Sequence, residues 1–473
     1  MLFSSMIFLW VFLPIVLLGN AVLKTKYVNP FLALASLIFY AWGEPVNVLL
    51  MLLSIAVNYS AGRLLARYDQ RPGARKAVLV ADVIFNLGML GAFKYSGMAA
   101  SMLNGLLSLL GLHSLAVPVP EIALPIGISF FTFQALSYVV DVYRREVEPQ
   151  KKLLNLTLYI SFFPQLIAGP IVRYKDVNEQ IEHRRTTVPQ FASGCRRFIY
   201  GFAKKILISN VMAQGVDAIY ALNASEITGV MAWLAAVMYA MQIYYDFSGY
   251  SDMAIGLGRM LGFEFLENFN YPYISRSIRE FWQRWHISLG TWFREYVYIP
   301  LGGNRKGAVR TYVNLLTVFF ATGVWHGAGW SFILWGLYHG LFQIVERLGF
   351  AKFLKKHGVI ANVYTLLVVV VGWVFFRVED IGAALQLVGT MFTPWLHGET
   401  AYYLFDYITP QMLMLLPVAA LGAGPVQLLA GKLRLTERWR FSIPDVIVCA
   451  LLLLACIASL ASNTYNPFIY FKF

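Results

Sequence analysis

The sequence is poor in charge. Only 13% of its 473 residues are Asp, Glu, Lys or Arg, against about 25% in an average soluble domain. Apolar residues make up 58% of the chain, and stretches of about 20 of them, the length that a helix needs to cross a hydrocarbon core, recur along its whole length. These features exclude an ordinary soluble globular protein and predict an all-α polytopic membrane protein.

Cysteine is also scarce. Cys195, Cys449 and Cys456 lie in apolar or helical contexts without C-x-x-C spacing, so neither a disulfide framework nor a zinc site is predicted, and all three are interpreted as packing residues. The sequence has no G-x-x-x-x-G-K-[ST], G-x-S-x-G or H-E-x-x-H motif, which leaves an ATPase, a serine hydrolase and a zincin without support. No metal and no permanently bound cofactor is expected.

Basic residues are unevenly distributed. The net charge is +13, but Lys and Arg fall in short loops and form no continuous arm or face, so nucleic acid is not an expected partner. They gather in six segments: 63–76, 144–152, 173–205, 276–310, 347–356 and 432–440. By the positive-inside rule these loops are cytoplasmic, and the alternation puts both the N-terminus and the C-terminus outside the cytoplasm, in a bacterial inner membrane.

The apolar segments vary in length. Residues 230–247 and 253–263 are predicted as separate membrane segments, and several other segments are too short for a full crossing, which indicates re-entrant or half-crossing helices. The N-terminal segment is expected to be a retained span and not a cleaved signal. With no repeat and no polar linker, residues 1–473 are predicted to form a single integral membrane domain.

Polar residues interrupt the apolar pattern between Tyr244 and Gly340, and ionisable groups in such a setting indicate a site. His326 follows a charge-free run and has Gly323, Gly327 and Gly329 around it, small residues that would let another molecule approach closely. Its ring is either satisfied by a neighbouring helix or acts as a general base in acyl transfer.

Two further histidines and a basic region lie nearby. His286, between Trp282 and Arg294, fits either an aromatic anchor at the membrane interface or a cytoplasm-facing site, and His339 is interpreted as a packed helix histidine. Arg284 and Arg294 belong to the densest basic region, which either reports topology or receives the phosphates of an anionic donor. Asp246 and Asp252 are not expected to bind a metal.

Long ordered strings of this sequence resemble the membrane-bound O-acyltransferase (MBOAT) family, and specifically its alginate O-acetylase branch. The strings cover nearly the whole chain: LPIGISFFTFQALSYVVDVYR (124–144), FFPQLIAGPIVRYKD (162–176), YDFSGYSDMAIGLGRMLGFEFLENFNYPYIS (245–275), FWQRWHISLGTWFREYVYIPLGGNR (281–305), WHGAGWSFILWGLYHG (325–340) and NPFIYFKF (466–473). The resemblance implies a basin of about 11–13 membrane helices around a central tunnel, several of them short or re-entrant.

The resemblance also implies roles for particular residues. His326 matches the catalytic histidine of the family, and His286 matches its second signature position, on the cytoplasmic side of the tunnel. The terminal FIYFKF resembles the tail of a small partner peptide in teichoic-acid D-alanylation, in which a tyrosine is proposed as an acyl relay. Tyr470 matches that tyrosine, although an aromatic tail could equally anchor at the interface.

The leading hypothesis is an acetyltransferase that takes acetyl from acetyl-coenzyme A and passes it across the membrane. A separate extracytoplasmic SGNH-type acetyltransferase would then acetylate a polysaccharide such as alginate. One alternative uses the thioester of an acyl carrier protein, as D-alanyl transferases do, and another is a non-enzymatic polysaccharide export channel. Membrane lipid is the expected surrounding in each case.

Overall fold

The computed structural model describes residues 1–393, 404–433, 435, 439–462, 465 and 469, and no β-strand occurs among them. The prediction of an all-α protein is therefore confirmed. The chain divides into two compact units, one formed by Met1–Cys195 with Ala254–Leu266 and the other by Arg196–Met253 with Glu267–Phe473. That the two act as a single domain stays a prediction.

The first unit is built from apolar helices around an aromatic core. The ring of Phe39 lies 5.4 Å from that of Phe163 and 5.5 Å from that of Phe12, the spacing of favourable edge and tilted pairs. Its helices are α1 (Leu13–Val22), α2 (Thr25–Ala41), α3 (Asn47–Arg67), α4 (Pro72–Leu109), α5 (Ile128–Tyr143), α6 (Leu153–Ser161), α7 (Phe163–Leu166) and α8 (Tyr174–His183).

The second unit contains most of the polar centre predicted from the sequence. Two helices, α9 (Val188–Ala203) and α11 (Gly229–Met260), have residues in both units. The other helices of the second unit are α10 (Asn210–Tyr220), α12 (Ile278–Arg284), α13 (Ile287–Phe293), α14 (Ala308–His326), α15 (Trp330–Val345), α16 (Ala351–Lys356), α17 (Gly358–Arg377), α18 (Ile381–Phe392), α19 (Pro410–Gly422), α20 (Pro425–Lys432) and α21 (Ile443–Ser462).

Four of the described helices, α3, α4, α17 and α21, are long and apolar enough to cross a membrane. The pair α19 and α20, bent by 43°, would make a fifth span if it is one broken helix. Shorter apolar helices such as α5, with 16 residues, fall below the length of about 20 residues that a full crossing needs. The expectation of short membrane segments agrees with this, while the count of about 11–13 stays a prediction.

The prediction of separate segments at 230–247 and 253–263 is wrong, because one continuous helix, α11, covers residues 229–260. The residues between the two predicted segments, 248–252, lie within this helix. In the structure they are accommodated within the helix, since Asp252 accepts hydrogen bonds from Lys204 at 2.6 Å and from Arg197 at 2.7 Å. A paired carboxylate can remain in a buried helix, where an unpaired one would be costly.

A tight helical hairpin is formed by α14, which ends at His326, and α15. A Cβ added at Gly323 would overlap the carbonyl oxygen of Phe332, and one added at Gly336 would overlap that of Phe319. Small residues at such positions let the two backbones approach closely, as they do between membrane helices. The two glycines therefore determine how near the C-terminus of α14 lies to α15.

Candidate active site

His326 is the last residue of α14 and is enclosed by aromatic rings. Its side chain is buried, with 5% of the residue exposed. The ring centroid lies 4.8 Å from that of Trp325, 5.1 Å from Trp335 and 5.1 Å from Phe376, each at a steep angle. The indole and phenyl rings fix the plane of the imidazole without giving it charge.

The glycines near His326 do not open space for another molecule, as the sequence suggested. A Cβ at Gly327 would overlap the ring of Phe332, and the space beside Gly323 is filled by the backbone of the same residue. Beside Gly329 the nearest atom would lie 3.5 Å away, on Phe332 again. The prediction is therefore wrong for Gly323 and Gly327, because both serve packing within the hairpin.

His286 lies at the N-terminal boundary of α13 in an unusual backbone conformation. Its φ is 46° and its ψ is 54°, in the left-handed region that a residue with a Cβ occupies only when its surroundings hold it there. The residue is 2% exposed, and its ring lies 4.6 Å from Phe247. Burial lowers the pKa of His286, so the imidazole is neutral at physiological pH.

Trp325 brings the two predicted site histidines into one cluster. Its ring centroid lies 4.8 Å from His326 and 6.2 Å from His286. These histidines lie 40 positions apart in the sequence, one just before α13 and the other at the end of α14. Their shared contact with one indole is the main feature of the candidate site.

A polar network that the sequence analysis missed holds the ring of His286. The Asn268 Oδ1 atom lies 3.1 Å from His286 Nδ1. The same oxygen accepts hydrogen bonds from the Ser288 backbone N–H at 3.2 Å and from the Ser288 hydroxyl at 2.9 Å. The Asn268 amide donates in turn to Ser251 Oγ at 3.0 Å. Asn268 lies in the segment 245–275 that resembles the family, but nothing in its position along the sequence shows that it contacts His286.

The two arginines proposed for donor phosphates lie in different environments. Arg284 donates to Glu280 at 2.9 Å and to the backbone carbonyl of Asn270 at 3.1 Å. The side chain of Arg294 is 64% exposed, and its guanidinium group lies 3.5 Å from the Glu295 carboxylate. Arg294 can therefore meet a ligand without losing a buried contact, whereas Arg284 already stabilises the chain that leads to His286.

His339 is buried beside the same aromatic cluster. It is fully buried, and its ring lies 5.1 Å from Trp282 and 5.4 Å from Trp335. Within the described ranges, neither of its ring nitrogens has a hydrogen-bond partner. This environment agrees with the interpretation of His339 as a packed helix histidine.

The carboxylates of α11 are paired with basic side chains. Asp246 lies 2.5 Å from Lys205, and both side chains are buried. Lys205 belongs to a π-helical turn, Lys204–Ser209, the kind of irregularity that is frequent at functional sites. Among the described residues there is no cluster of His, Cys, Asp or Glu that could hold a metal ion.

The described residues near the C-terminus, Tyr465 and Ile469, donate hydrogen bonds to carboxylates within the second unit. The backbone N–H of Ile469 donates to Asp246 Oδ2 at 2.9 Å. The Tyr465 hydroxyl donates to Asp217 at 2.6 Å, and Arg377 donates to the same carboxylate at 2.7 Å. Tyr470, the predicted relay residue, lies outside the described residues.

Comparison with known proteins identifies the class. Residues 116–378 match the model of the membrane-bound O-acyltransferase family. Over the full length of both chains the sequence is 40% identical to the Pseudomonas putida protein named "Probable alginate O-acetylase AlgI". It is 44% identical to the Pseudomonas aeruginosa protein of the same name, over 83% of this chain and 75% of that one.

A third relative differs in the polymer that its name gives. The chain is 35% identical to the "Peptidoglycan O-acetyltransferase" of Helicobacter pylori, over 83% of this chain and 80% of that one. The chain belongs to the membrane-bound O-acyltransferase family. It is a multi-pass membrane enzyme that transfers acyl groups, and the resemblance to the alginate O-acetylase branch is confirmed.

Proposed function

We propose that this enzyme takes acetyl groups from cytoplasmic acetyl-coenzyme A and passes them across the membrane for O-acetylation of an extracytoplasmic polysaccharide such as alginate. Two relatives similar over most of this chain are named as alginate O-acetylases, which supports acetyl as the group and alginate as the polymer. The observation that carries the proposal is the burial of His326 and His286 in one aromatic cluster around Trp325.

In the proposed chemistry, His326 acts as the general base. Its imidazole removes the proton of a hydroxyl group while the hydroxyl oxygen attacks the thioester carbonyl. A C–O bond forms and the C–S bond breaks, and the proton on the imidazole goes to the departing thiolate, giving an acetyl ester and free coenzyme A. A neutral imidazole can carry both proton steps near physiological pH.

We assign binding of the acyl donor to His286 and the basic region around it. His286 follows α12, whose last residue is Arg284, and Arg294 follows α13 with its side chain exposed. A guanidinium group binds phosphate with two parallel hydrogen bonds, and coenzyme A carries phosphates. Arg294 is the stronger of the two candidates, because Arg284 already donates to Glu280 and Asn270.

The first acceptor in this scheme is the hydroxyl of Tyr470. A phenol can be deprotonated by a histidine, hold the acetyl group as an ester and pass it on. Ile469 precedes Tyr470 directly and donates its backbone N–H to the buried Asp246. This contact of Ile469 with α11 lies within the second unit, which also contains His326, and it supports the assignment.

The last step is assigned to a partner. With both termini outside the cytoplasm, as the distribution of Lys and Arg predicts, the acetyl ester would be delivered to the outer face. A separate extracytoplasmic SGNH-type acetyltransferase would transfer it to the polysaccharide acceptor.

The proposal is tested with purified protein in proteoliposomes supplied with acetyl-labelled coenzyme A thioester. We expect release of free coenzyme A and appearance of labelled ester, both dependent on His326. Turnover of an acyl carrier protein thioester instead would identify that thioester, and not acetyl-coenzyme A, as the acyl donor. No turnover of either thioester, together with polysaccharide transport, would support the export channel and overturn the proposal.

A further inference from the structure

The orientation of the Asn268 amide is determined by its neighbours. The backbone N–H of Ser288 is a donor in every protonation state, and it points at one terminal atom of Asn268 from 3.2 Å. That atom must therefore be the carbonyl oxygen Oδ1, which leaves the NH₂ group facing Ser251 Oγ at 3.0 Å. The side chain cannot be flipped without setting two N–H groups against each other.

The position of Oδ1 also determines the tautomer of His286. Nδ1 lies 3.1 Å from Asn268 Oδ1, so this ring nitrogen carries the hydrogen and donates it to the amide oxygen. The opposite tautomer would place the Nδ1 lone pair against an oxygen that also carries lone pairs. The Ser288 hydroxyl does not offer an alternative donor to Nδ1, because it lies 3.5 Å away and donates to Oδ1 at 2.9 Å.

A neutral imidazole with its hydrogen on Nδ1 presents a lone pair at Nε2. Among the described residues, His286 Nε2 has no hydrogen-bond partner although it is buried. The ring contacts that the structure gives come from Phe247 and Trp325, and the polar ones from Asn268 and Ser288, none of which is charged. Buried polar atoms are rarely left unsatisfied, and such an exception requires an explanation.

We propose that Asn268 is the positioning residue of His286, which it holds in the Nδ1–H tautomer so that Nε2 accepts a hydrogen bond from an N–H or O–H group of the acyl donor. The inference deepens the proposed function and rests on it for the nature of the donor. Nε2 is then a hydrogen-bond acceptor on the side of the site that binds the acyl donor. Arg284 and Arg294, on the same side, supply only hydrogen-bond donors. The left-handed backbone of His286, with φ at 46°, is then strain retained to aim Nε2.

The tautomer can be measured without any enzymatic reaction. In protein labelled with ¹⁵N-histidine and reconstituted in lipid, nuclear magnetic resonance distinguishes protonated from unprotonated ring nitrogens, and His286→Gln identifies the signals of this ring. We expect a neutral ring with hydrogen on Nδ1 and none on Nε2. Hydrogen on Nε2, or on both nitrogens at neutral pH, would overturn the assignment whether or not the enzyme uses acetyl-coenzyme A.

The role of Asn268 is tested with Asn268→Asp. The carboxylate can still accept from Nδ1 and from Ser288, and the Ser251 hydroxyl can rotate to donate to it. A negative charge at this distance favours the protonated imidazole and raises the pKa of His286 from the value of about 3 to which burial lowers it. Because the protonated ring has no lone pair at Nε2, the KM for acetyl-coenzyme A should increase about tenfold per pH unit below that raised pKa.

A matched control is Asn178→Asp, which introduces the same carboxylate at an asparagine of the first unit. Asn178 Oδ1 accepts a hydrogen bond from the backbone N–H of Glu179 at 2.8 Å, and a carboxylate oxygen retains this contact. In this control variant, the KM for acetyl-coenzyme A should depend on pH as it does in the wild type. A wild-type profile in Asn268→Asp as well, with normal kcat, would reduce Asn268 to a packing residue, while an absence of thioester turnover in the wild type would contradict the proposed function itself.

Discussion

His286 combines a strained backbone with a buried and hydrogen-bonded ring. Left-handed conformations cost a residue with a Cβ of the order of 1–3 kcal/mol, and they persist where the surroundings impose them. Here the backbone N–H of Ile287 donates to the Asn268 carbonyl at 3.0 Å, and the Asn268 side chain holds the ring. One residue thus fixes both the main chain and the imidazole of His286.

Replacement of His286 by Ala should weaken donor use more than folding. Loss of one hydrogen bond to the donor corresponds to an increase of about tenfold in the KM for acetyl-coenzyme A, measured as thioester turnover in detergent. His286→Gly is the matched control, because glycine removes the same ring without backbone strain. An unchanged KM in both variants would return His286 to a structural role.

Tyr470→Phe should abolish acetyl transfer while the protein remains inserted, because the variant keeps the aromatic ring and removes only the nucleophilic oxygen. The measurement is the ester content of the secreted polysaccharide, with membrane insertion checked in parallel. Since Phe preserves the anchoring capacity of the ring, wild-type acetylation in this variant would remove the relay from the scheme.

At the scale of elements, the hairpin of α14 and α15 depends on its small residues. Gly323→Ala should lower the stability of the folded protein by about 1–3 kcal/mol, since the added methyl group meets the backbone of Phe332 and cannot be relieved by a side-chain rotation. The readout is thermal unfolding in detergent. His326 lies one turn further along α14, so activity should fall as well.

The control for this substitution is Gly389→Ala. Gly389 lies within α18, and a Cβ added there would meet nothing within 4 Å. Alanine favours a helix over glycine by up to about 1 kcal/mol, so this variant should be neutral or slightly more stable. Equal destabilisation by both substitutions would contradict the close-packing account.

The buried ion pair between Lys205 and Asp246 links the π-helical turn Lys204–Ser209 to α11. Asp246→Asn removes the carboxylate that lies 2.5 Å from the buried Lys205 ammonium group and the charged acceptor of Ile469, so it should cost about 3–5 kcal/mol of stability. The double variant Lys205→Met with Asp246→Leu should lose much less, because no buried charge remains. The exposed Arg145, whose side chain is 66% accessible, offers a control in Arg145→Ala, which should change stability by less than about 1 kcal/mol.

At the scale of the whole molecule, hydropathy alone predicted the membrane protein and its helical class. It failed where a side chain is satisfied by residues distant in the sequence. The split of α11 was predicted because the pairing of Asp252 with Lys204 and Arg197 is not visible in a local window. The openness around His326 was predicted because the sequence does not show that Phe332 fills that space.

The candidate site was predictable in part. His326 and His286 stand out in the sequence as ionisable residues in an apolar setting, and the structure joins them through Trp325. Asn268 could not be found in this way. It is a neutral residue whose importance comes only from a contact with His286 across 18 positions of the chain.

The central claim is that His326 is the base in acetyl transfer, and the most direct test compares the wild type with His326→Ala in proteoliposomes. Free coenzyme A released from acetyl-coenzyme A is measured, and thermal unfolding shows whether the variant is folded. Loss of a general base lowers the rate by about 10²–10⁴-fold, so we predict a fall of that size in kcat. The variant should still unfold cooperatively, at a lower temperature than the wild type, because removal of the buried ring leaves a cavity. Near-normal turnover in a folded His326→Ala protein would contradict the assignment of His326 as the catalytic base.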